Sequence, residues 1–298
     1  MTIHDWLRIN QKELPEGESI LLLSFVLKKE KAYILAHPER TFSREEGALL
    51  ERCAERRKKH EPIAYITGEK EFFGFPFFVT EATLIPRPET EILVEYALET
   101  IADCRLQIAE KEKTISLIDI GTGSGCIPIS IGKALQSTHP NIFSCTQFAA
   151  GDISKDAIAI ARKNAVHHDI DRFIRFQESN LTTDIPESYF RTPFLILTAN
   201  LPYLSKEIYE ASPEDVRLYE PKNALQGDTG DGTALMRELL KQCQKKSPKS
   251  HLIILEISPE QSQSLLAQGK ELFPQSEASI LPDLSGRNRF LIIQNHPE

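Results

Sequence analysis

An α/β fold, in which a mostly parallel sheet follows a small helical region, is what this 298-residue chain predicts. Three observations carry that expectation. From Thr114 onward, short apolar runs alternate with helical stretches. A glycine-rich loop closes the first of those runs. Residues 1 to about 60 show helical periodicity. Strands that alternate with helices assemble into a parallel sheet covered on both faces. The length suits two domains of ordinary size. The expected boundaries are a helical domain over 1–70, a β-hairpin linker over 71–90 and an α/β domain over 91–298.

In the first region, Ser19 to Tyr33 carries apolar residues at helical spacing. Ser43 is a candidate cap for a helix running to Lys59, with Glu46 completing a capping box. Arg52 to His60 is strongly basic, and reads either as a solvated helix face or as a contact surface for a macromolecule. From Glu71 to Leu84, five phenylalanines (Phe72, Phe73, Phe75, Phe77 and Phe78) surround Gly74 and Pro76, which suits a hairpin of aromatic strands. Pro88 then stands at the first turn of a helix, with Glu89 and Glu91 near its positive end.

Beyond Thr114, strands are expected at Ile115 to Ile120, Phe143 to Ala150, Phe173 to Phe176, Phe194 to Ala199, His251 to Ile257 and near Phe290 to Ile293. Helices are expected over Cys126 to Leu135 and Ser154 to His167, and the final strand pair suits an antiparallel edge.

Composition narrows the function. A chain that is 41% hydrophobic and 26% charged is a soluble globular type. Its net charge of -8 argues against nucleic-acid binding by broad electrostatic attraction, though not against a local basic patch or a basic protein partner. The five cysteines (Cys53, Cys104, Cys126, Cys145 and Cys243) form no Cys-x-x-Cys pair and are odd in number. Neither a disulfide framework nor a metal site is expected, and a reducing cytoplasm is the natural setting. The N-terminus lacks a signal-peptide pattern. The longest apolar stretch, Ile20 to Leu27, falls far short of the roughly 20 residues of a membrane span.

The chemistry concentrates at two loops. Leu117-Ile118-Asp119-Ile120-Gly121-Thr122-Gly123-Ser124-Gly125 closes the first strand of the α/β region. Ligands of open parallel sheets bind at strand carboxyl ends, and glycines there let backbone approach a ligand closely. The dinucleotide fingerprint wants its third glycine one residue later, where Cys126 stands. Pyrophosphate binding is therefore not indicated. The second loop, Asn200-Leu201-Pro202-Tyr203, leaves the apolar strand Phe194 to Ala199; such residues also make ordinary turns.

The first loop resembles motif I of class I S-adenosylmethionine-dependent methyltransferases, which implies a Rossmann-like, mostly parallel seven-stranded sheet. It also implies cofactor contacts from Asp119, Gly121, Thr122, Gly123, Ser124, Gly125, Asp152, Asn180, Leu181 and Asn200. Asp152 would accept the ribose hydroxyls. Asn180 stands where such enzymes often carry an acidic residue against the adenine amine.

The second loop resembles the Asn-Pro-Pro-Tyr motif of enzymes that methylate glutamine amides or exocyclic amines of nucleobases, with Leu201 in place of the first proline. The resemblance implies that Asn200, Leu201, Pro202 and Tyr203 are catalytic and bind substrate. The Asn200 side-chain oxygen and the Leu201 carbonyl would each accept one N–H of a planar nitrogen, and the Tyr203 ring would pack on the amide.

Pro62 to Gly68, Glu71 to Gly74, Leu84 to Glu91 and Asp215 to Pro221 with Ala224-Leu225 are similar to signature segments of the bacterial peptide chain release factor glutamine methyltransferases. This implies methylation of the glutamine in a release factor's Gly-Gly-Gln loop. It also implies an N-terminal domain that helps engage the factor; the net charge and the short apolar stretches separately lead to the expectation of no stable nucleic-acid complex and no membrane association. Arg87 reads either as a substrate contact or, with Glu89, as an interdomain salt bridge; Asp215 and Arg217 are open in the same way. The rivals are a glutamine methyltransferase of a large-subunit ribosomal protein, an adenine methyltransferase, a non-catalytic cofactor-binding module and a nicotinamide dehydrogenase.

Overall fold

The computed structural model describes residues 1–109 (backbone only for 104–109), 114–228, 230–248 and 250–295. Cys104 thus lies outside the described side chains. The chain forms two compact units, Met1–Glu69 with Ser212–Tyr219, and Lys70–Ala211 with Glu220–Glu298.

The first unit is helical, with helices Ile3–Asn10, Glu16–Leu27, Lys31–Ala36, Arg44–Lys58, Ile63–Thr67 and the short Glu214–Tyr219. Trp6, Leu22, Leu23, Ile34 and Leu50 are buried together as its core. Instead of one helix over Ser19 to Tyr33, the chain breaks at Lys28, whose φ is 53°. The apolar pattern stops at Leu27, and four charged residues, Lys28 to Lys31, have no face to bury.

Ser43 caps the Arg44–Lys58 helix as expected: its hydroxyl accepts from Glu46 N at 3.1 Å, and the Glu46 carboxylate accepts from Ser43 N at 2.8 Å. Ser43→Ala is expected to cost about 1 kcal/mol of stability. A lower urea midpoint with unchanged slope would show this.

The basic run is largely paired. Arg56 meets Glu61 at 2.5 Å, Arg57 meets Glu18 at 2.6 Å and Lys58 meets Glu13 at 2.8 Å. His60 lies 3.2 Å from Glu214, and the Tyr219 hydroxyl donates to the Lys59 carbonyl at 2.7 Å. These partners favour the helix-surface reading of the run.

The second unit opens with a hairpin, β1 (Glu69–Phe72) and β2 (Phe75–Phe78). Phe73 and Gly74 between them have φ of 53° and 74°, the positive pair that a tight hairpin turn requires. Phe72 and Phe77 are buried in the core, Phe77 against Phe72 and His168, so part of the aromatic cluster serves packing. Asn164 clamps the hairpin to the glycine loop: Phe78 N donates to its Oδ1 at 2.7 Å, while its Nδ2 donates to the carbonyls of Phe78 and Ser124.

Seven strands follow: β3 (Ile115–Ile120), β4 (Thr146–Asp152), β5 (Ile174–Glu178), β6 (Phe194–Ala199), β7 (His251–Glu256), β8 (Glu277–Pro282) and β9 (Asn288–Asn295). Their spatial order is β5-β4-β3-β6-β7-β9-β8. β3 to β7 are parallel; β9 runs antiparallel to β7 and to β8. The expected strand at Phe143 starts later, because Pro140 at a first helical position sets a short helix, Pro140–Ser144.

Alternating residues of β3 divide between two cores. Ile115 and Leu117 pack with the helices Cys126–Thr138 and Lys155–His167, whereas Ile118 and Ile120 pack with Ala234–Lys246. Strand order reverses across β3, whose parallel neighbours are β4 and β6. The carboxyl ends of β3, β4, β5 and β6 therefore gather at one crevice. No helix among the described residues is long and apolar enough to cross a membrane.

Candidate active site

The cavity at this crevice is lined by residues of the second unit alone. Gly121, Gly123 and Gly125 have φ of 72°, 56° and 79°, so all three positions use the freedom that glycine brings. The amides of Gly121 and Thr122 both donate to the Gly151 carbonyl, at 2.8 and 3.0 Å, which fastens the loop to the end of β4. A Cβ on Gly121 would meet Leu201 Cδ2 at 2.9 Å. One on Gly123 would meet nothing within 4 Å, so this backbone opens directly onto the cavity.

Asp152 ends β4. Its Oδ2 accepts from Gly123 N and its Oδ1 from Ser154 N, both at 2.9 Å. Burial pushes its carboxyl upward, against the pull of these two bonds. Each oxygen retains acceptor capacity for a ligand. Asn180 and Leu181, beyond β5, line the same cavity; Leu181 holds a φ of 53°, and its carbonyl accepts from Ser179 Oγ at 2.7 Å.

Beyond β6, Asn200, Leu201 and Pro202 complete the wall with Arg87, Ala224 and Thr90. The Asn200 Nδ2 donates to Glu256 Oε2 at 2.9 Å and to Thr90 Oγ1 at 3.2 Å. The Thr90 hydroxyl donates to the same Oε2 at 2.6 Å, and the Tyr203 hydroxyl donates to Oε1 at 3.2 Å. Glu256, the last residue of β7, is buried. Arg87 is held by Glu220 at 2.5 Å, and the other Glu220 oxygen accepts from Ile85 N at 3.1 Å. That ion pair lies within one unit rather than between two. Asp215 and Arg217 sit in the short helix of the first unit; Arg217 Nε donates to the Ser212 carbonyl at 3.1 Å.

Three residues expected in the site do not line the cavity. Gly125 is the N-cap of the Cys126–Thr138 helix, and a Cβ there would press on Ala161 and Ile129 at 3.1 Å. Tyr203 is half-buried, packed against the core of the sheet, with its hydroxyl on Glu256. Asp119 lies wholly buried under the loop, opposite Thr198 in register, whose hydroxyl donates to its Oδ1 at 2.7 Å.

Burial pushes the Asp119 carboxyl up to about 7 from an ordinary 3.8. As pH rises through that window, the unfolded chain releases this proton while the folded chain keeps it, so stability falls with rising pH. Asp119→Asn keeps the acceptor for Thr198 and is expected to remove that share of the slope. Asp152 and Glu256, whose carboxyls are also raised, remain in both proteins, and the difference in denaturation midpoint between pH 4 and 7 isolates Asp119.

Sequence reasoning missed Glu256, Thr90, Ala224 and Ile153. The signal for Glu256 was a single acid at the carboxyl end of the apolar run Leu252 to Leu255. Ile153, next to Asp152, is 64% exposed at the cavity wall. No group of three or more His, Cys, Asp or Glu suited to a metal occurs among the described residues.

Residues 7–68 match the family model described as the PrmC N-terminal domain. A release factor glutamine methyltransferase of Streptococcus pneumoniae is 32% identical over 285 residues, covering 94% of this chain and 93% of that one. Its namesake from Salmonella typhimurium is 33% identical, covering 90% of each. The chain belongs to the release factor glutamine methyltransferase family. A further member, from Chlorobaculum tepidum, is 35% identical over 72% of this chain and 70% of its own.

Among solved structures, the hMettl16 catalytic domain in complex with MAT2A 3′UTR hairpin 6 has a TM-score of 0.52 at 15% identity. It covers 86% of this chain and 83% of that one, a likeness of fold. Leu201 stands where the Asn-Pro-Pro-Tyr motif that this loop resembles has its first proline. It is buried over Gly121, so packing holds this position in place of a proline ring.

Proposed function

We infer that the protein transfers a methyl group from S-adenosylmethionine to the side-chain amide nitrogen of the glutamine in the Gly-Gly-Gln loop of peptide chain release factors. The observation that carries this reading is the state of Asn200. Its amide nitrogen is bound to Glu256 and Thr90, while its Oδ1 has no partner among the described residues and the residue lines the cavity. The Leu201 carbonyl likewise accepts no backbone N–H among the described residues. Two adjacent acceptors match a nitrogen that presents two hydrogens.

The cavity residues fit the cofactor. The open backbone at Gly123 leaves room for close approach, and Asp152 and Asn180 supply acceptors for ribose hydroxyls and an adenine amine. The cofactor supplies an electrophilic methyl group on a cationic sulfur. Asp119 and Gly125 act beneath it by shaping the loop.

An amide nitrogen is a weak nucleophile because its lone pair is delocalised into the carbonyl. Asn200 Oδ1 and the Leu201 carbonyl hold its two hydrogens and favour the positive charge that grows on nitrogen as the bond forms. Orientation supplies the rest, with Pro202 shaping the wall and Tyr203 bracing it through Glu256. A proton that leaves after transfer needs no strong base. Arg87, held by Glu220 at the cavity wall, is assigned to the substrate.

Residues 1–70 serve as the recognition domain, 71–90 as the hairpin linker and 91–298 as the methyltransferase domain. The protein acts in the cytoplasm, without stable nucleic-acid binding.

The test offers purified protein and labelled cofactor to release factor, ribosomal protein and nucleic acid in parallel. Mass spectrometry should find the methyl on the Gly-Gly-Gln glutamine. Label confined to nucleic acid or to the ribosomal protein would overturn the assignment.

A further inference from the structure

We propose that Glu256 is a positioning residue that sets the hydrogen-bond polarity of the catalytic loop, so that the site takes a glutamine amide and rejects the corresponding glutamate. The inference rests on the substrate reading above and deepens it.

An ionised carboxylate only accepts hydrogen bonds. The groups on Glu256 are arranged as donors to such an acceptor: Thr90 Oγ1 and Asn200 Nδ2 to Oε2, and the Tyr203 hydroxyl to Oε1. Thr90, having given its hydrogen to Glu256, can only accept from Asn200, and that bond measures 3.2 Å. Both hydrogens of the Asn200 amide are thereby used.

The alternative orientation, with Oδ1 toward Glu256, would set two acceptors face to face in a buried site. It would also leave Thr90 with no donor. Asn200 is thus fixed with its oxygen as the atom left for the cavity. A substrate amide brings an N–H to that oxygen. A glutamate carboxylate brings only lone pairs and is repelled.

Burial pushes the Glu256 carboxyl upward, and the bond from Thr90, the charge of Arg289 on β9 and the bond from Tyr203 pull against it in favour of the acceptor-only form. Tyr203 stays protonated and able to donate, since burial raises its phenol.

Glu256→Gln tests the idea, because a glutamine in this position can donate as well as accept. Asn200 is then free to turn its amide nitrogen toward the cavity. Three measurements are compared between E256Q and the unaltered protein: turnover on a release factor, cofactor affinity by calorimetry, and inhibition by the same factor with its Gly-Gly-Gln glutamine changed to glutamate. Turnover should fall by about 10- to 100-fold, the loss expected for a charge-assisted hydrogen bond. Cofactor affinity should hold, and the glutamate factor should become a relatively better inhibitor.

Equal turnover, or an unchanged preference between the two factors, overturns the proposal. If the unaltered protein itself fails to methylate the factor, the substrate reading falls instead, and the proposal falls with it. Should E256Q no longer bind cofactor, Thr90→Val carries the test. It removes one of the two acceptors for Asn200 and should move the same preference in the same direction; no movement overturns the proposal.

Discussion

Replacing Asn200 with alanine is expected to lower methyl transfer by about 100- to 1000-fold while leaving cofactor binding nearly intact. The size follows from losing one preorganised partner of the charge that develops in the transition state. The structure adds a second consequence. Asn200 satisfies one oxygen of the buried Glu256 together with Thr90. Its removal leaves that oxygen with one donor, at a stability cost on the order of 1 kcal/mol. Single-turnover kinetics under saturating cofactor separate the two effects. A loss of turnover together with loss of cofactor affinity would assign Asn200 a folding role instead.

The second large effect belongs to Asp152→Ala. Cofactor affinity should drop by roughly 100-fold or more, because each charge-assisted hydrogen bond contributes about 1.5–3 kcal/mol and 1.4 kcal/mol is about tenfold in affinity. Asp152 acts twice. It offers acceptors to the cavity, and it holds the amide of Gly123 in the loop that forms the cavity floor. Asp152→Asn separates these roles only in part, since its amide nitrogen would face either Gly123 N or Ser154 N as one donor against another. Both variants should therefore bind weakly, the alanine more so, and an unchanged calorimetric affinity in Asp152→Ala would end the assignment.

The local features legible in the sequence were those that depend on near neighbours. Ser43 and Glu46 form the expected capping box because a cap needs only four residues of chain. Strand β3 and strand β6 begin and end where their apolar runs do. Gly121, Gly123 and Gly125 each adopt positive φ. Where longer reach matters, the sequence is silent or misleading. The helix that ends at Leu27 stops short of Tyr33, because Lys28 turns the chain with a positive φ. Tyr203 follows Asn200 closely in sequence, yet its hydroxyl is held by Glu256, fifty-three positions away.

By itself, then, the sequence determined the glycine loop after β3, the Asn-Leu-Pro-Tyr loop after β6, and the alternation that yields a parallel sheet. These are properties of spacing and of residue chemistry. Only the tertiary structure decided which acids line the cavity and which are buried beneath it. Asp119 stands one residue before the end of β3 and Asp152 ends β4 near the same loop, yet β3 pairing sets Asp119 against Thr198 beneath the glycines, whereas Asp152 lines the cavity. Glu256 comes beside Asn200 because β6 and β7 lie side by side in parallel. Strand neighbours are chosen by the packing of the whole sheet, and no stretch of chain shorter than that sheet carries the information.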